Sequence, residues 1–264
     1  MTFLERARTD IELASQSLSL RYTFYQAMRI AGRRGIPLPD SVFRNDDISI
    51  QGQELYLVPY MTTERDFADV GANRGYWTSR LNDGKRTIYA FEPSPGPYRI
   101  LEGRFKRSPN VKTYRCALGK SNRLARICLH SYDPINSLVG KVHRTDYLGQ
   151  EVVQVRTLDS FHLKNIGLIK IDTEGYEIPI LEGAFETIER CKPRLVIEVH
   201  LDRRKEQTRI TNKLKSLGYR WIIGHKKVSL QPHIIAESKA SVPKTRETGG
   251  GSRRELQQIG IDVR

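Results

Sequence analysis

No run of apolar residues in the chain approaches the roughly 20 that a bilayer-spanning helix requires. The first residues, MTFLERARTDIELAS, carry acidic side chains where a secretory leader needs an unbroken apolar stretch. Cysteine is scarce: Cys116, Cys128 and Cys191 are odd in number and show no CxxC spacing. A disulfide scaffold is therefore excluded, and a reducing, cytoplasmic location is expected. The six histidines form no HxH or HExxH pair, so no dedicated transition-metal site is expected. The GxGxxG turn that admits a dinucleotide pyrophosphate is absent as well.

Negative charge is in deficit. Against 44 Lys and Arg stand 30 Asp and Glu, a formal net charge of +14 over 264 residues. Such a surplus favours acidic partners: nucleic acid, phosphate-bearing substrates or anionic lipid. Residues 201–227 alone hold nine Lys and Arg against Asp202 and Glu206. Within that stretch Ile210, Leu214 and Leu217 keep helical spacing, the pattern of a helix with one buried stripe and a solvated basic face.

From residue 67 onward, short apolar runs alternate with helical stretches. RDFADVG, TIYAFEP, VKTYRCALG, GLIKIDTEG, RLVIEVH and YRWIIG read as strands. This alternation predicts an α/β fold with a doubly wound, mostly parallel sheet. Residues 1–60 read as an N-terminal helical cap with short strands, 61–236 as the main domain, and 237–264 as a disordered basic tail. Between Gly119 and Ile166, ARICLH and QEVVQV predict an inserted β-hairpin with a loop. YEIPILEGAFETI reads as one helix with Leu181, Phe185 and Ile188 on its buried face, and Asp159 in TLDSF reads as a helix N-cap.

Ligands of such sheets bind beyond the carboxyl ends of the strands. Four of the five strand ends in question carry carboxylates: Asp69, Glu92, Asp172 with Glu174, and Glu198 followed by His200. Gly71 and Gly75 let the chain turn sharply and admit a ligand close to the backbone. The acidic residue before this GxxxG turn disfavours pyrophosphate and suits an ammonium group. Glu92 lies 21 residues after Gly71, where a carboxylate can accept hydrogen bonds from both hydroxyls of a ribose. An adenosine with a cationic, amino-acid-like tail, S-adenosylmethionine, satisfies both. Asp172 and Glu174, two apart in an extended strand, share a face and can grip one hydroxyl or one metal ion.

DVGANRGYWT, YAFEPSPGPYRIL, CALG, TLDSF, LIKIDTEGYEIPILEGA and LVIEVH, in this order, resemble the FkbM family of S-adenosylmethionine-dependent methyltransferases, over about residues 64–200. The resemblance implies a class I methyltransferase sheet and methyl transfer to a hydroxyl oxygen of a sugar or secondary metabolite. By position it implies Asp69, Gly71, Asn73 and Gly75 around the methionine moiety, Glu92 on the ribose, Ala117 and Leu118 at the adenine, and Asp172 facing the transferred methyl group. Asp172, Glu174, Glu198 and His200 are the candidates for managing the acceptor's proton. The expected activity is O-methylation of a saccharide or related precursor. Two alternatives stand beside it: methylation of an RNA ribose 2′-hydroxyl, which the basic stretch would serve, and cofactor binding without turnover.

Overall fold

The computed structural model describes residues 57, 61, 63–130, 136–139, 147–200, 203–224, 232–239 and 261–263. The chain divides into two compact units, Met1–Pro59 and Tyr60–Arg264. The helical cap and short strands expected over residues 1–60 lie outside the described residues, apart from Leu57.

The second unit opens with β1 (Asp66–Val70), α1 (Tyr76–Leu81), β2 (Ile88–Phe91), α2 (Pro95–Phe105), β3 (Val111–Tyr114) and β4 (Ala117–Leu118). The insertion supplies β5 (Arg123–His130) and β6 (Tyr147–Arg156). The chain continues through β7 (Ile166–Ile171), α3 (Glu177–Glu182), α4 (Phe185–Cys191), β8 (Arg194–Glu198), α5 (Arg203–Ser216), β9 (Tyr219–Gly224), β10 (His233–Ser238) and β11 (Ile261–Val263). Eight strands form the main sheet in the order β11-β9-β10-β8-β7-β1-β2-β3, and β4-β6-β5 form a second, three-stranded sheet. Strands β3, β2, β1, β7 and β8 are mutually parallel, whereas β10 runs antiparallel to β8 and β9. The fold is the doubly wound α/β sheet expected, of class I methyltransferase type.

Central parallel strands are covered on both faces, so their sequences are apolar throughout rather than alternating. Phe67, Ala68 and Val70 of β1, Leu168, Ile169 and Ile171 of β7, and Leu195, Val196 and Ile197 of β8 are all fully buried. Helix α2 begins on Pro95, whose fixed φ and missing N–H suit a first turn. It lays Pro97, Leu101 and Phe105, four residues apart, against the sheet. In α5 the stripe Ile210 and Leu214 is buried, as the spacing predicts, together with Leu217 just beyond it.

Several expectations change. VKTYRCALG is two strands, because the chain leaves the main sheet after Tyr114 and pairs Ala117 with Val155 in the second. YEIPILEGAFETI is two short helices, and Phe185 is about half exposed while Leu181 and Ile188 are fully buried. Asp159 does cap a helix, but a distant one: its carboxylate accepts the N–H groups of Glu186 and Thr187 at the start of α4, at 3.0 and 2.8 Å. The disordered tail expected over 237–264 overlaps β10, which runs to Ser238, and ends in β11, paired antiparallel with β9. Residues between these two strands are outside those described from 240 onward. All three cysteines are free and buried. Among the described residues no helix is long and apolar enough to cross a membrane.

Gly71 and Gly75 both sit in left-handed backbone, at φ +77° and +85°. A Cβ on Gly71 would stand 1.8 Å from the carbonyl oxygen of Asp172, and one on Gly75 would stand 2.6 Å from the Phe105 ring. The close approach that demands glycine is thus made by the protein itself rather than by a ligand. Gly84 has a similar φ of +74° with open space around it. Gly84→Ala should cost only the left-handed penalty, about 1–2 kcal/mol. Gly71→Ala adds an immovable backbone clash of the overpacking kind and should cost about 3 kcal/mol or more in total. Equal denaturation midpoints for the two variants would show that Gly71 is not packed in this way.

Candidate active site

Strand order reverses between β1 and β7. The crevice of a doubly wound sheet opens at that point, beyond the strands' carboxyl ends. The turn after β1 is clamped to both neighbours. The N–H groups of Gly71 and Ala72 donate to the Phe91 carbonyl at 3.0 Å, and the Asp172 N–H donates to the Val70 carbonyl at 3.1 Å. Residues after β1, β2 and β7 are thereby brought to one place.

Glu92, just past β2, is 5% exposed, and its two carboxylate oxygens accept the backbone N–H groups of Asn73 and Ser94 at 2.9 and 2.8 Å. Asn73 adopts left-handed backbone at φ +49°, and its side-chain oxygen accepts the Arg74 N–H at 2.8 Å. The turn is therefore built around Glu92. Glu92 is thereby fixed at the carboxyl end of β2, on the crevice side of the turn. Ala117 and Leu118 are buried in β4, and Leu118 shares a core cluster with Val70 and Phe91.

Asp69 lies beneath the crevice, beside Lys170. It is 1% exposed, receives the Thr78 hydroxyl at 2.7 Å, and faces the Lys170 ammonium at 3.8 Å. Burial pushes its carboxyl above the ordinary aspartate value, a rise that Lys170 and Thr78 only partly offset. Asp69 thus acts on the crevice through Lys170, whose ammonium donates to Asp172 Oδ2 at 3.1 Å.

Around His200 the sequence candidates converge. Its Nε2 lies 3.3 Å from Glu174 Oε1 and 3.7 Å from both Asp172 Oδ1 and Glu198 Oε1. Its Nδ1 lies 3.0 Å from Oε1 of Glu177, a fully buried carboxylate that also accepts the Gly175 N–H at 3.0 Å. Glu174 reaches this position from left-handed backbone at φ +54°. His233 of β10 pairs in register with Glu198 and places Nε2 3.7 Å from Glu198 Oε2. The ligand atoms of Asp172, Glu174 and His200 fall within 4.8 Å of one another, a set able to hold a metal ion. The argument from absent HxH and HExxH patterns covers only ligands close in sequence, and this set comes from two strand ends.

Burial by itself would lower the pKa of His200. Hydrogen bonds to Glu174 and Glu177, with the charges of Glu174 and Glu198, overcome that and raise it well above the ordinary histidine value. Burial would raise Asp172, but the Lys170 ammonium and His200 hold it below the ordinary aspartate value.

The insertion reaches this crevice. Asn136 Nδ2 donates to Ser94 Oγ at 3.2 Å, and Ser137 Oγ donates to the Glu174 carbonyl at 2.8 Å. Ser137 is tied back to Cys128 of β5 by a pair of backbone hydrogen bonds. Sequence reasoning missed Glu177, His233, Asn136 and Ser137 as neighbours of the site. Glu177 had a usable signal, being the last residue of the IDTEGYE segment.

Residues 69–221 match the methyltransferase FkbM domain family. The chain is 27% identical over 140 residues to Methyltransferase 1 of Beauveria bassiana, covering 44% of this chain and 56% of that protein. It is 22% identical over 175 residues to the hexuronic acid methyltransferase AglP of Haloferax volcanii, covering 64% and 71% respectively. The crystal structure of methyltransferase FkbM from Methylobacillus flagellatus superimposes with a TM-score of 0.53 at 19% identity, over 70% of this chain and 47% of that one. The chain therefore spans little more than half the length of the Beauveria relative and about half that of the solved structure. The family match covers more than half of the chain and takes in the turn after β1, Glu92 and the carboxylates around His200, and on that ground the chain belongs to the FkbM methyltransferase family.

Proposed function

We propose that the protein is an S-adenosylmethionine-dependent O-methyltransferase whose acceptor is a hydroxyl group of a saccharide. The observation that carries this reading is the convergence of Asp172, Glu174 and Glu198 on His200 beside the Glu92 turn. A relative that acts on a hexuronic acid supports the saccharide class.

S-adenosylmethionine supplies a methyl group already activated on a sulfonium. The residues present fit that molecule. Glu92 is a buried carboxylate held at the end of β2, the place from which a carboxylate accepts ribose hydroxyls, and the crevice is anionic where a cationic tail would lie. What remains for the chain is to orient a hydroxyl and manage its proton. Asp172 is the group for this: it is ionised, partly exposed at the mouth, and fixed by Lys170 at 3.1 Å. His200 holds the carboxylates around it in place. Glu198 stands behind Asp172 as the second carboxylate in reach.

Replacing Glu92 by alanine should weaken S-adenosylmethionine binding by about 1.5–3 kcal/mol, the range for hydrogen bonds to a charged group. Calorimetry showing unchanged affinity would remove Glu92 from the cofactor site. Asp172→Asn should leave cofactor affinity intact while lowering turnover by about 10² to 10⁴; a fully active variant would move the proton-accepting role to Glu198.

The acceptor class is tested by incubation with labelled cofactor and, in parallel, a uronate-bearing oligosaccharide, a neutral one and RNA. Label is expected in saccharide. Neutralising the exposed Arg204 and Lys215 should then change the rate little at physiological salt, because exposed charges are screened there. Label in RNA would overturn the saccharide reading. So would a salt dependence that loses about 0.7 in log K per decade of salt for each neutralised residue.

A further inference from the structure

We infer that Asp172, Glu174 and His200 form a binding site for a divalent cation of the Mg²⁺/Mn²⁺ class, and that the cation docks the acceptor hydroxyl. The inference rests on the methyltransferase reading above and concerns the same crevice.

The first support is geometric. Donors about 2.1–2.3 Å from a shared cation stand roughly 3 Å apart when adjacent and about 4.5 Å apart when opposed. Glu174 Oε1 lies 3.3 Å from His200 Nε2, and Asp172 Oδ1 lies 3.7 Å from it. All three ligand atoms fall within 4.8 Å of one another. Small side-chain rotations close such a set on an ion.

The second support is how His200 is held. It is 3% exposed, and its Nε2 faces three carboxylates, none nearer than 3.3 Å. The nearest, Glu174, is hydrogen-bonded to this nitrogen at 3.3 Å, longer than the roughly 2.7–2.9 Å of a tight charge-assisted pair, and Glu174 is itself one of the proposed ligands. The other ring nitrogen is fixed at 3.0 Å by Glu177, which is fully buried and itself held by the Gly175 N–H. A histidine that ligates a metal characteristically gives its far N–H to a carboxylate, which sets the tautomer and turns the free lone pair on the metal. Glu177 is a positioning residue of that kind.

The third support is charge. Four carboxylates, those of Asp172, Glu174, Glu177 and Glu198, surround one imidazole, with Lys170 on the flank. Ionised carboxylates removed from water need cationic partners. A dication supplies two charges at their centre and leaves coordination positions open to the crevice. Three oxygen donors, counting Glu198 in reach, and a single imidazole suit a hard cation, with the nitrogen favouring Mn²⁺ over Mg²⁺. Asp172 would then orient the acceptor hydroxyl through the ion it helps to hold.

The test uses the full chain, stripped with chelator and titrated with Mn²⁺ alone, with free Mn²⁺ read by electron paramagnetic resonance. The expected result is one bound ion per chain, displaced by excess Mg²⁺. Asp172→Asn, Glu174→Gln and His200→Ala should each weaken binding by more than about 100-fold, whereas Glu177→Gln should weaken it by about 10- to 100-fold. S-adenosylmethionine calorimetry on every variant controls for folding. Should His200→Ala fail to fold, the Asp172 and Glu174 variants decide alone, because both side chains are partly exposed. Absence of binding at millimolar Mn²⁺, or equal affinity in the ligand variants, overturns the inference. So does saccharide methylation undiminished in chelator. Stoichiometric Mn²⁺ binding lost in the variants, without methylation of any saccharide, would uphold the cation site and overturn only the saccharide reading.

Discussion

The carbonyl of Asp172 lies so close to Gly71 that no side chain fits between them. This contact joins the two halves of the sheet where their winding reverses, and the hydrogen bond from the Asp172 N–H to the Val70 carbonyl locks it. With these turns fixed against each other, Asn73 presents its N–H to Glu92 on one side. On the other, the chain leaving β7 carries Asp172 and Glu174 to His200. A glycine that looks like an accommodation for a ligand is therefore the joint that assembles the crevice. Its left-handed φ and its lack of a Cβ are both used in that contact.

Once assembled, the crevice must hold several carboxylates away from bulk water. Each shares a cation with a neighbour. Asp69 and Asp172 share Lys170, and Asp172, Glu174, Glu177 and Glu198 share His200. Glu198 is also faced by His233. Removing one member of such a set leaves its partners as uncompensated buried charge, which costs more than the lost pair contributed. Effects of substitutions here will be coupled rather than additive. The Lys170 ammonium, with His200, holds Asp172 low, while Glu174, Glu177 and Glu198 raise His200 against the effect of burial.

Much of this was legible in the sequence, for a physical reason. Central parallel strands are apolar on both faces, so a carboxylate closing such a run stands out, and Asp69, Glu92, Asp172, Glu174 and Glu198 were all read that way. What sequence could not supply was relations across strands. Apolar continuity in VKTYRCALG does not say that the chain changes sheets after Tyr114, and nothing in HIIAES marks it as antiparallel between β8 and β9. Glu177 and His200 are 23 residues apart and meet only because α3 starts beside the end of β8. The same holds for Asp172, Glu174 and His200: motif spacing detects groups on one turn or one strand, and these come from two. Phe185 was misread because one continuous helix was assumed where the chain breaks into α3 and α4, which changes the face on which it falls.

The net charge deserves a reading separate from the site. Helix α5 is held by Ile210 and Leu214, and its exposed side chains include Arg204, Lys205, Arg209 and Lys215. These basic groups lie on the solvated face of an amphipathic helix, with Arg209 paired to the buried Glu206 at 2.9 Å. The crevice carries the opposite sign, with carboxylates outnumbering the cations among them. A protein whose surface is positive and whose reaction site is negative cannot have its acceptor chosen from its total charge. The local sign is what a bound group experiences, because a half-buried site of low dielectric is screened less than the surface. An anionic crevice suits a sulfonium cofactor, and at its rim Asn136 and Ser137 tie the inserted β5–β6 hairpin to Ser94 and Glu174.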